Sequence, residues 1–411
     1  MNRRVVIFLS TIIALAIASI HPVGAQVPNN FGATRAPAIA IDKSDHLYVT
    51  MSVATKPASA GTPGSQTFFT MSKDGGRSWN NLPFTKNLSK SSGEAFGPAI
   101  ALTRSGTTRA YVVYHDNSRG ATQAYLVRSK KKAKFRAAKN ITPGDGGAFA
   151  PRVAVDSTEA INVVWGDTGS GGRRVVLIRS TDQGATFGDT IDVSRSEADA
   201  FEPEIAIDSQ DNINIVWQDA REGENAIWFC RSTDGGETFS EPLRVSTGAG
   251  RATESSITVD SANRIHVVWV DESNGDFQIF YSRSTDDGQS FSEPRDASND
   301  AGEEFHKPCV AASGESVYIA YQQDSGRSRQ VLLVNSSDGG VSFSDAEQVS
   351  QADPNRGRAH SPALAFDKSG RLHIVWIDTT VVGNDEGLLY YSNTRNGTSF
   401  APQRVLIAGL P

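Results

Sequence analysis

A short motif of the form Ser-x-Asp-x-Gly-x-x-aromatic recurs five times, and it constrains the fold more than any other feature of this chain. The copies begin at residues 72, 180, 232, 284 and 336, so the last four follow one another at intervals of 52 residues. The motif positions are Ser72, Asp74, Gly76, Trp79; Ser180, Asp182, Gly184, Phe187; Ser232, Asp234, Gly236, Phe239; Ser284, Asp286, Gly288, Phe291; and Ser336, Asp338, Gly340, Phe343. A fixed period of this length predicts a repeat architecture in which each unit packs against its neighbours.

Each repeat contains four short strand-like segments. In the unit that holds Ser232, an apolar run at residues 203–208 is followed by a β-branched run ending in Trp-x-Asp at residues 215–219. A third run enters the motif, and a fourth ends at Val-Ser, residues 245–246. Evenly spaced short strands separated by Gly, Asp and Ser turns predict an all-β fold, and four strands per unit are typical of a β-propeller blade. We count seven units, two of them with degenerate motifs at residues 129–135 and 392–400.

The chain is therefore expected to be an all-β β-propeller of seven four-stranded blades. Each blade is built from contiguous chain, and the ring closes where unit 7 packs against unit 1. A propeller of six blades is the alternative.

The first residues have the features of a targeting segment. Two basic residues, Arg3 and Arg4, precede an apolar run at residues 5–20 and a small-residue cleavage site at residues 23–25. This pattern predicts a signal peptide at residues 1–25 and a single propeller domain at residues 26–411, in a secreted or periplasmic protein. A retained N-terminal anchor is the alternative. No later segment approaches the roughly 20 apolar residues of a membrane span, so we expect no membrane contact once the signal is removed.

The remaining composition excludes several function classes. The formal charge of −6 argues against a nucleic-acid partner. The two cysteines, Cys230 and Cys309, lie in different, non-adjacent repeats, so we expect no disulfide between them. There is no zinc-type spacing of Cys and His, no phosphate-binding glycine loop and no Gly-x-Ser-x-Gly elbow, so neither a metal nor a cofactor is expected. We expect a monomer.

The chemistry of the recurrent motif indicates a hairpin. The Asp carboxylate accepts backbone N–H groups, Gly supplies a positive φ, Ser adds a local hydrogen bond, and the aromatic side chain packs between the strands. All four roles are structural. If the motif joins strands three and four of a blade, it lies at the end of the propeller where strands one and two also turn. The Trp-x-Asp loops and the links between units then lie at the opposite end, called the loop rim below, and loops that carry function usually lie on such a face.

This hairpin resembles the Asp-box, or BNR, repeat of sialidases and related propellers, and the resemblance extends over nearly the whole mature chain. It implies a sialidase-like fold of the neuraminidase superfamily. It also implies an arginine triad for the substrate carboxylate, a Tyr–Glu nucleophile pair and an Asp acid/base. Arg35, two residues before Pro37, matches the position of the first arginine of that triad.

Three departures from the family pattern weigh against ordinary sialidase activity. The loop at residues 52–66, where the acid/base Asp is expected, contains no carboxylate. Every tyrosine falls within a strand at a repeated packing position: Tyr48, Tyr111, Tyr114, Tyr125, Tyr281, Tyr318, Tyr321, Tyr390 and Tyr391. Sialidase domains have six blades, whereas seven are counted here.

The candidate binding residues lie on the loop rim, two positions before the Pro of the first strand; unit 5 lacks this Pro, and Thr253 takes the place there. That position is occupied, unit by unit, by Arg35, Phe96, Phe149, Phe201, Thr253, His306 and His360, with Phe305 as an alternative equivalent of Phe201. One arc is apolar and the other is polar and potentially cationic, with Lys307 and Arg358 beside it. A cationic pocket formed by Arg35, His306, Lys307, Arg358 and His360 would suit a carboxylate or sulfate of a glycan. The competing interpretation, which we favour, is that Phe is the consensus packing residue here and the exceptions are solvated.

A ring of carboxylates on the same rim also has two interpretations. The Trp-x-Asp positions and their displaced counterpart are Asp116, Asp167, Asp219, Asp271, Asp378 and Asp324. They could bind a cation or supply an acid, but a residue repeated in nearly every blade is more typical of a loop cap.

The expected function is recognition of a glycan or an extracellular protein through the loop rim. A glycoside hydrolase is the first alternative, either a divergent exo-sialidase or an enzyme acting on another acidic sugar, and a non-catalytic interaction scaffold is the second.

Overall fold

The computed structural model describes residues 31–55, 64–79, 86–130, 133–144, 146–169, 172–248, 250–273, 275–299, 303–326, 328–351, 357–379 and 388–406. These residues form seven four-stranded antiparallel sheets, each built from consecutive strands, and they contain no α-helix. The described residues accordingly include no helix that is long and apolar enough to cross a membrane. The predicted signal peptide at residues 1–25 lies outside the described residues.

The strands of blades 1 to 4 are β1 (Phe31–Ile41), β2 (Leu47–Thr55), β3 (Gly64–Ser72), β4 (Lys86–Asn87); β5 (Ala95–Leu102), β6 (Ala110–Asp116), β7 (Gln123–Arg128), β8 (Lys139–Asn140); β9 (Ala148–Val155), β10 (Ile161–Asp167), β11 (Arg174–Ser180), β12 (Ile191–Asp192); and β13 (Ala200–Ile207), β14 (Ile213–Asp219), β15 (Ala226–Ser232), β16 (Leu243–Arg244).

The strands of blades 5 to 7 are β17 (Ala252–Val259), β18 (Ile265–Asp271), β19 (Gln278–Ser284), β20 (Arg295–Asp296); β21 (Glu304–Ser313), β22 (Ser316–Asp324), β23 (Arg329–Ser336), β24 (Glu347–Gln348); and β25 (Ala359–Phe366), β26 (Leu372–Asp378), β27 (Leu388–Thr394), β28 (Arg404–Val405).

The seven blades form a closed ring around a central channel. Each first strand contacts the first strand of the next blade, and β25 of blade 7 contacts β1 of blade 1. An apolar cluster joins the two ends of the ring: Leu47, Val49 and Phe68 of blade 1 pack with side chains of blade 7 that include Val375 and Tyr391. The seven-bladed all-β propeller predicted from the repeat is therefore confirmed.

The core lies between neighbouring blades. The Trp of each Trp-x-Asp segment has no exposed surface, and Tyr occupies the equivalent position in blades 2 and 6: Trp165, Trp217, Trp269, Trp376, Tyr114 and Tyr321. Full burial of a large apolar side chain contributes roughly 1.5–3 kcal/mol. Repeating such a residue in six of the seven blades makes each of these blades depend on its neighbours for stability. Both cysteines are free.

The recurrent motif forms the hairpin between the third and fourth strands. In blade 1, Ser72 Oγ donates to Asp74 Oδ1 (2.8 Å) and accepts from the backbone N–H of Gly76 (2.8 Å). Asp74 Oδ1 also accepts the backbone N–H of Ser78 (2.8 Å). The same three bonds recur in the four other copies. Desolvation opposes the charged form of Asp74, but the hydrogen bonds from Ser78 and Ser72 together outweigh it and lower the pKa of Asp74 to about 2.

The motif also joins each blade to the one before it. Gly76 has φ +85°, and a Cβ there would lie 2.0 Å from the hydroxyl of Tyr391 in blade 7. Trp79 packs edge-on against the same tyrosine, with ring centroids 5.1 Å apart. Phe291 and Phe343 make similar contacts with Phe229 and Tyr281 of their preceding blades. The expectation that this aromatic packs between the strands of its own hairpin therefore needs correction: it is half-buried against the preceding blade.

Candidate functional site

The Trp-x-Asp carboxylates end the second strands on the loop rim and cap their own loops. Asp219 Oδ1 accepts the backbone N–H of Arg221 (2.8 Å), and Asp271 Oδ1 accepts that of Ser273 (2.8 Å). Both carboxylates are buried, at 0% and 2% exposure, and each also accepts a bond from the indole of its own Trp-x-Asp segment. In the part of the chain that the structure describes, no group of three or more His, Cys, Asp or Glu side chains could hold a metal ion.

A bulge in each first strand directs one residue towards the mouth of the channel. Pairing with the second strand shifts register just after Phe201 in blade 4 and just after His306 in blade 6. The next residue has a positive φ although it is not glycine: φ is 51° at Glu202, 53° at Glu254 and 51° at Lys307. Such backbone costs energy and is often found where a bulge re-aims a side chain near a functional site.

The register also settles which rim residues are equivalent. Phe201 pairs with Gln218, and His306 pairs with Gln322, the corresponding residue of blade 6. Phe305 is fully buried and takes the place that Ala200 occupies in blade 4. His306, and not Phe305, is therefore the counterpart of Phe201.

The basic residues at the bulge of blade 6 are matched by a carboxylate of blade 5. Lys307 Nζ lies 2.5 Å from Glu254 Oε1, and its backbone N–H donates to Glu254 Oε2 (2.7 Å). His306 Nδ1 lies 3.8 Å from the same carboxylate. Although desolvation opposes it, Lys307 holds the pKa of Glu254 below its ordinary value. Glu254 and Lys307 both line the central channel, a cavity of about 530 Å³.

Blade 7 contributes a neutral histidine rather than a cation. Burial, together with the charge of Arg329, lowers the pKa of His360 to about 4. Arg358 lines a separate cleft of about 600 Å³ between blades 6 and 7, which also contains Glu304 and Asp324. The backbone of Arg35 pairs with Ser52 in blade 1, and its side chain is not among those described. The described part of this arc is thus a mixed-charge surface, and it differs from the cationic pocket that the residue types suggested.

The apolar arc forms a pocket. Phe96, Phe149 and Phe201, from blades 2, 3 and 4, line a cavity of about 300 Å³, here called the aromatic pocket. Phe149 is 45% exposed, so the ring that the packing interpretation placed in the core faces solvent. An exposed aromatic side chain beside a concave surface is a common feature of ligand sites.

A glycine in blade 3 keeps the aromatic pocket open. Gly166 is the middle residue of the Trp-x-Asp segment of blade 3, and it lines the pocket. A Cβ at Gly166 would lie 3.7–3.8 Å from the backbone of Phe149 and Phe201, which is ordinary contact, and Gly166 does not have a positive φ. In blades 2, 4, 5, 6 and 7 the residue at the same register position of the second strand has a side chain: His115, Gln218, Val270, Gln322 and Ile377. The backbone does not require glycine at this position, so the glycine serves to provide space.

Polar groups border the aromatic pocket on one side. The guanidinium of Arg173 lies 5.8 Å from the centre of the Phe201 ring, within cation–π distance. Arg173 is exposed, and among the described residues no carboxylate forms an ion pair with it. Glu202 and Thr168 also line the cavity, and the Gln218 side chain donates to the carboxylate of Glu202. The wall nearest Phe96 is formed by His115.

No tyrosine is placed to act as a rim nucleophile. All nine tyrosines lie in described strands, and eight of them are at most 7% exposed, the exception being the half-buried Tyr125. Burial raises the pKa of Tyr390 to about 12 and raises those of Tyr48, Tyr114 and Tyr281 as well. A nucleophile requires the opposite shift. The geometry therefore lacks the Tyr–Glu pair that the sialidase resemblance implies.

Comparison with solved structures confirms the fold. The chain is similar to an ulvan lyase, from a new family of polysaccharide lyases, bound to -[GlcA(1-4)Rha3S]-, with 12% identity, a TM-score of 0.60 and coverage of 92% of this chain and 95% of the lyase. It is also similar to the intramolecular trans-sialidase of Ruminococcus gnavus in complex with oseltamivir carboxylate, with 13% identity, a TM-score of 0.50 and coverage of 91% and 97%. A protein of unknown function from Dyadobacter fermentans matches with 14% identity, a TM-score of 0.55 and coverage of 89% and 94%.

These likenesses establish a shared propeller architecture. No protein-family model matches the sequence. No curated protein matches it either.

The aromatic pocket was only partly visible in the sequence. The sequence showed three phenylalanines at one repeated rim position, but the interpretation of Phe as a packing residue led us to expect buried rings. The signal that distinguishes blade 3 is Gly166 between Trp165 and Asp167, because every other Trp-x-Asp segment has a side chain there. Arg173 follows a glycine-rich loop, and apart from this position on the loop rim nothing in the sequence marks it as a binding residue.

Proposed function

We propose that this protein is exported and recognises a glycan through the aromatic pocket on its loop rim. The observation that carries the proposal is a cavity lined by three phenylalanines from three successive blades and kept open by Gly166. A sugar ring presents apolar C–H groups on its faces and hydroxyls at its edge. An aromatic wall with a few polar groups beside it is suited to bind both.

Arg173 favours an acidic glycan. A guanidinium without an ion-pair partner in the described part of the chain is free to form paired hydrogen bonds with a carboxylate or a sulfate. Because Arg173 lies over the Phe201 ring, it borders the space where a stacked sugar would sit. The ulvan lyase that shares this fold is bound to a glucuronate and sulfated rhamnose chain, so ulvan oligosaccharides are the first probe to use.

The proposal is tested by titrating the protein calorimetrically with ulvan oligosaccharides, sialyllactose and arabinan oligosaccharides. Replacing Phe149 by Ala is expected to weaken binding by at least tenfold, about 1.4 kcal/mol, because an exposed aromatic in a ligand pocket acts as an anchor. Arg173→Ala is expected to weaken the acidic probes selectively. Val341→Ala is the matched control, since Val341 is similarly exposed (46%) but lies in the recurrent hairpin at the opposite end of the propeller.

The outcomes separate the alternatives. If no glycan binds, or if Phe149→Ala binds as well as Val341→Ala, the aromatic pocket is not a glycan site and a protein-binding scaffold becomes the better account. A glycoside hydrolase is the catalytic alternative, and the exposed carboxylate of Glu202 in the pocket wall favours testing it. Release of new sugar ends from the same probes, abolished by Glu202→Gln, would support that alternative.

Export is tested separately. Residues 1–25 are proposed to be removed, so the mass of the protein recovered outside the cytoplasm should correspond to a chain that begins at Gln26. Recovery of the full-length chain in the membrane fraction would instead indicate a retained anchor.

A further inference from the structure

His115 is a buried polar side chain that has no hydrogen-bond partner in the described part of the chain. It is 7% exposed, and neither ring nitrogen has a hydrogen-bond partner among the described residues. Buried polar groups in native proteins are nearly always paired, and each exception requires an explanation. Of the side chains with such unpartnered buried atoms, His115 is the one that lines the aromatic pocket.

The surroundings hold this imidazole in place without giving it a hydrogen bond. The Phe96 ring lies edge-on to it, with ring centroids 3.8 Å apart. Gly97 also makes room for the imidazole, because a Cβ there would lie 2.9 Å from His115 Cε1, and Gly97 has φ +62°. Phe96 and Gly97 are the rim residue and the bulge residue of blade 2, so the bulge itself creates the space that the imidazole occupies.

The imidazole is neutral in this environment. Burial, and secondarily the charge of Arg152, lowers the pKa of His115 to about 4. A neutral imidazole offers one N–H donor and one nitrogen acceptor, and a sugar hydroxyl can pair with either. A fixed cation would instead have favoured an anion at this point.

We infer that His115 is the specificity-determining polar contact of the aromatic pocket and hydrogen-bonds a hydroxyl group of the bound sugar. The inference rests on the proposed function, because it concerns the same pocket. Both nitrogens lie beneath the surface in the free protein, so the inference requires the half-buried Phe96 ring, which contacts the imidazole edge-on, to move aside when a ligand binds. The ligand class is thus a glycan whose stacked residue has a free hydroxyl directed towards blade 2.

This role predicts a particular relation between stability and binding. A buried polar group that is unpaired in the free protein destabilises it, and a ligand that pairs the group recovers that loss on binding. Replacing His115 by Leu should therefore raise the melting temperature by about 1–3 °C, or leave it unchanged, while it weakens binding. A residue with a purely structural role would show the opposite effect on the melting temperature.

The test compares two substitutions at His115 with Gly166→Val, using ulvan oligosaccharides and their chemically deoxygenated analogues as probes. His115→Leu is expected to reduce affinity by about tenfold, and this loss should disappear for the analogue that lacks the contacted hydroxyl. His115→Gln should retain affinity within about threefold, because a Gln side chain occupies the equivalent register position in blades 4 and 6 and offers a donor and an acceptor.

Two results would overturn the inference. One is a fall of several degrees in the melting temperature of His115→Leu, which shows a structural role. The other is unchanged affinity in His115→Leu when Gly166→Val abolishes binding, which removes His115 from recognition but leaves the proposed function intact. If Gly166→Val also binds normally, the proposed function fails as well.

Discussion

Replacing Arg179 by Ala should destabilise the junction between blades 3 and 4. Arg179 precedes the recurrent motif of blade 3, and its Nη1 donates to the carbonyl of Gly235 in the motif of blade 4 (2.6 Å). Its Nη2 lies 2.8 Å from Oδ2 of Asp156, which directly follows the first strand of blade 3 and is 2% exposed. One side chain therefore connects a buried carboxylate to the next blade.

The magnitude follows from these contacts. A hydrogen bond to a carbonyl contributes about 0.5–1.5 kcal/mol, and one to a charged group about 1.5–3 kcal/mol. Breaking a buried ion pair costs about 3–5 kcal/mol, but the Arg179 side chain is 26% exposed, so screening reduces that figure. The other oxygen of Asp156 keeps the backbone N–H bonds of Thr158 and Ala160. A destabilisation of about 3 kcal/mol is therefore expected.

The assay is thermal unfolding followed by tryptophan fluorescence, which is possible because the chain has 6 tryptophans. For 411 residues, an entropy of unfolding of about 2.1 cal/mol/K per residue sums to roughly 0.9 kcal/mol/K, so the melting temperature should fall by about 3–4 °C. Arg173→Ala is the matched control. It lies in the same blade and is exposed, so its substitution should change the melting temperature by less than about 1 °C. The reasoning would be refuted if Arg179→Ala lowered the melting temperature by less than about 1 °C, or if both variants lowered it equally.

The remaining predictions concern the motif, pH and the channel. Gly340→Ala should lower the melting temperature more than Gly223→Ala. Both glycines have a positive φ, but a Cβ at Gly340 would lie 2.1 Å from the hydroxyl of Tyr281, whereas a Cβ at Gly223 would have nothing within 4 Å. Equal falls in melting temperature would contradict the role of Gly340 in blade-to-blade packing. The pKa values of His115 and His360 are lowered to about 4, so the unfolded chain binds more protons below pH 6.5 and stability should fall as the pH drops from about 6.5 to 4. Replacing both by Leu should flatten the melting temperature across that window, and an unchanged slope would exclude them as its cause. Lys307→Met should destabilise by about 1 kcal/mol, because it removes the ion pair of Glu254 while the backbone N–H bond of residue 307 to that carboxylate remains and the Lys307 side chain is half-exposed. Glu254→Gln in the same chain should recover part of that loss, and a double variant no more stable than Lys307→Met would refute the pairing.

The fold was predictable because a period of 52 residues repeats both local turn chemistry and strand pattern. The hairpin of Asp74 and Gly76 is determined by residues within a few positions of one another, and so it is visible in the sequence. The packing partner of Trp79 was not, because Tyr391 lies at the other end of the chain and meets it only when the ring closes.

The site was harder to predict because it depends on exposure and on space. Phe149 and Phe201 occupy the same repeat position as a packing residue would, and only the three-dimensional arrangement shows that Phe149 faces solvent. Gly166 contributes by having no side chain, which a search for chemical groups overlooks. The pairing of Lys307 with Glu254 could have been predicted from the sequence. Each is the bulge residue of its blade, and the two blades are neighbours, so the two residues lie side by side in the ring.

The most direct test of the account is the affinity of Gly166→Val for the glycan probes, measured by calorimetry beside the wild type. The substitution places in blade 3 the residue that blade 5 has at the equivalent position, Val270, and the Cβ fits without a clash. Valine favours a strand, so the melting temperature should be unchanged or higher, while its two methyl groups occupy the aromatic pocket. The account predicts a stable protein with at least about tenfold weaker glycan binding. A stable Gly166→Val protein that binds glycans as tightly as the wild type would contradict it.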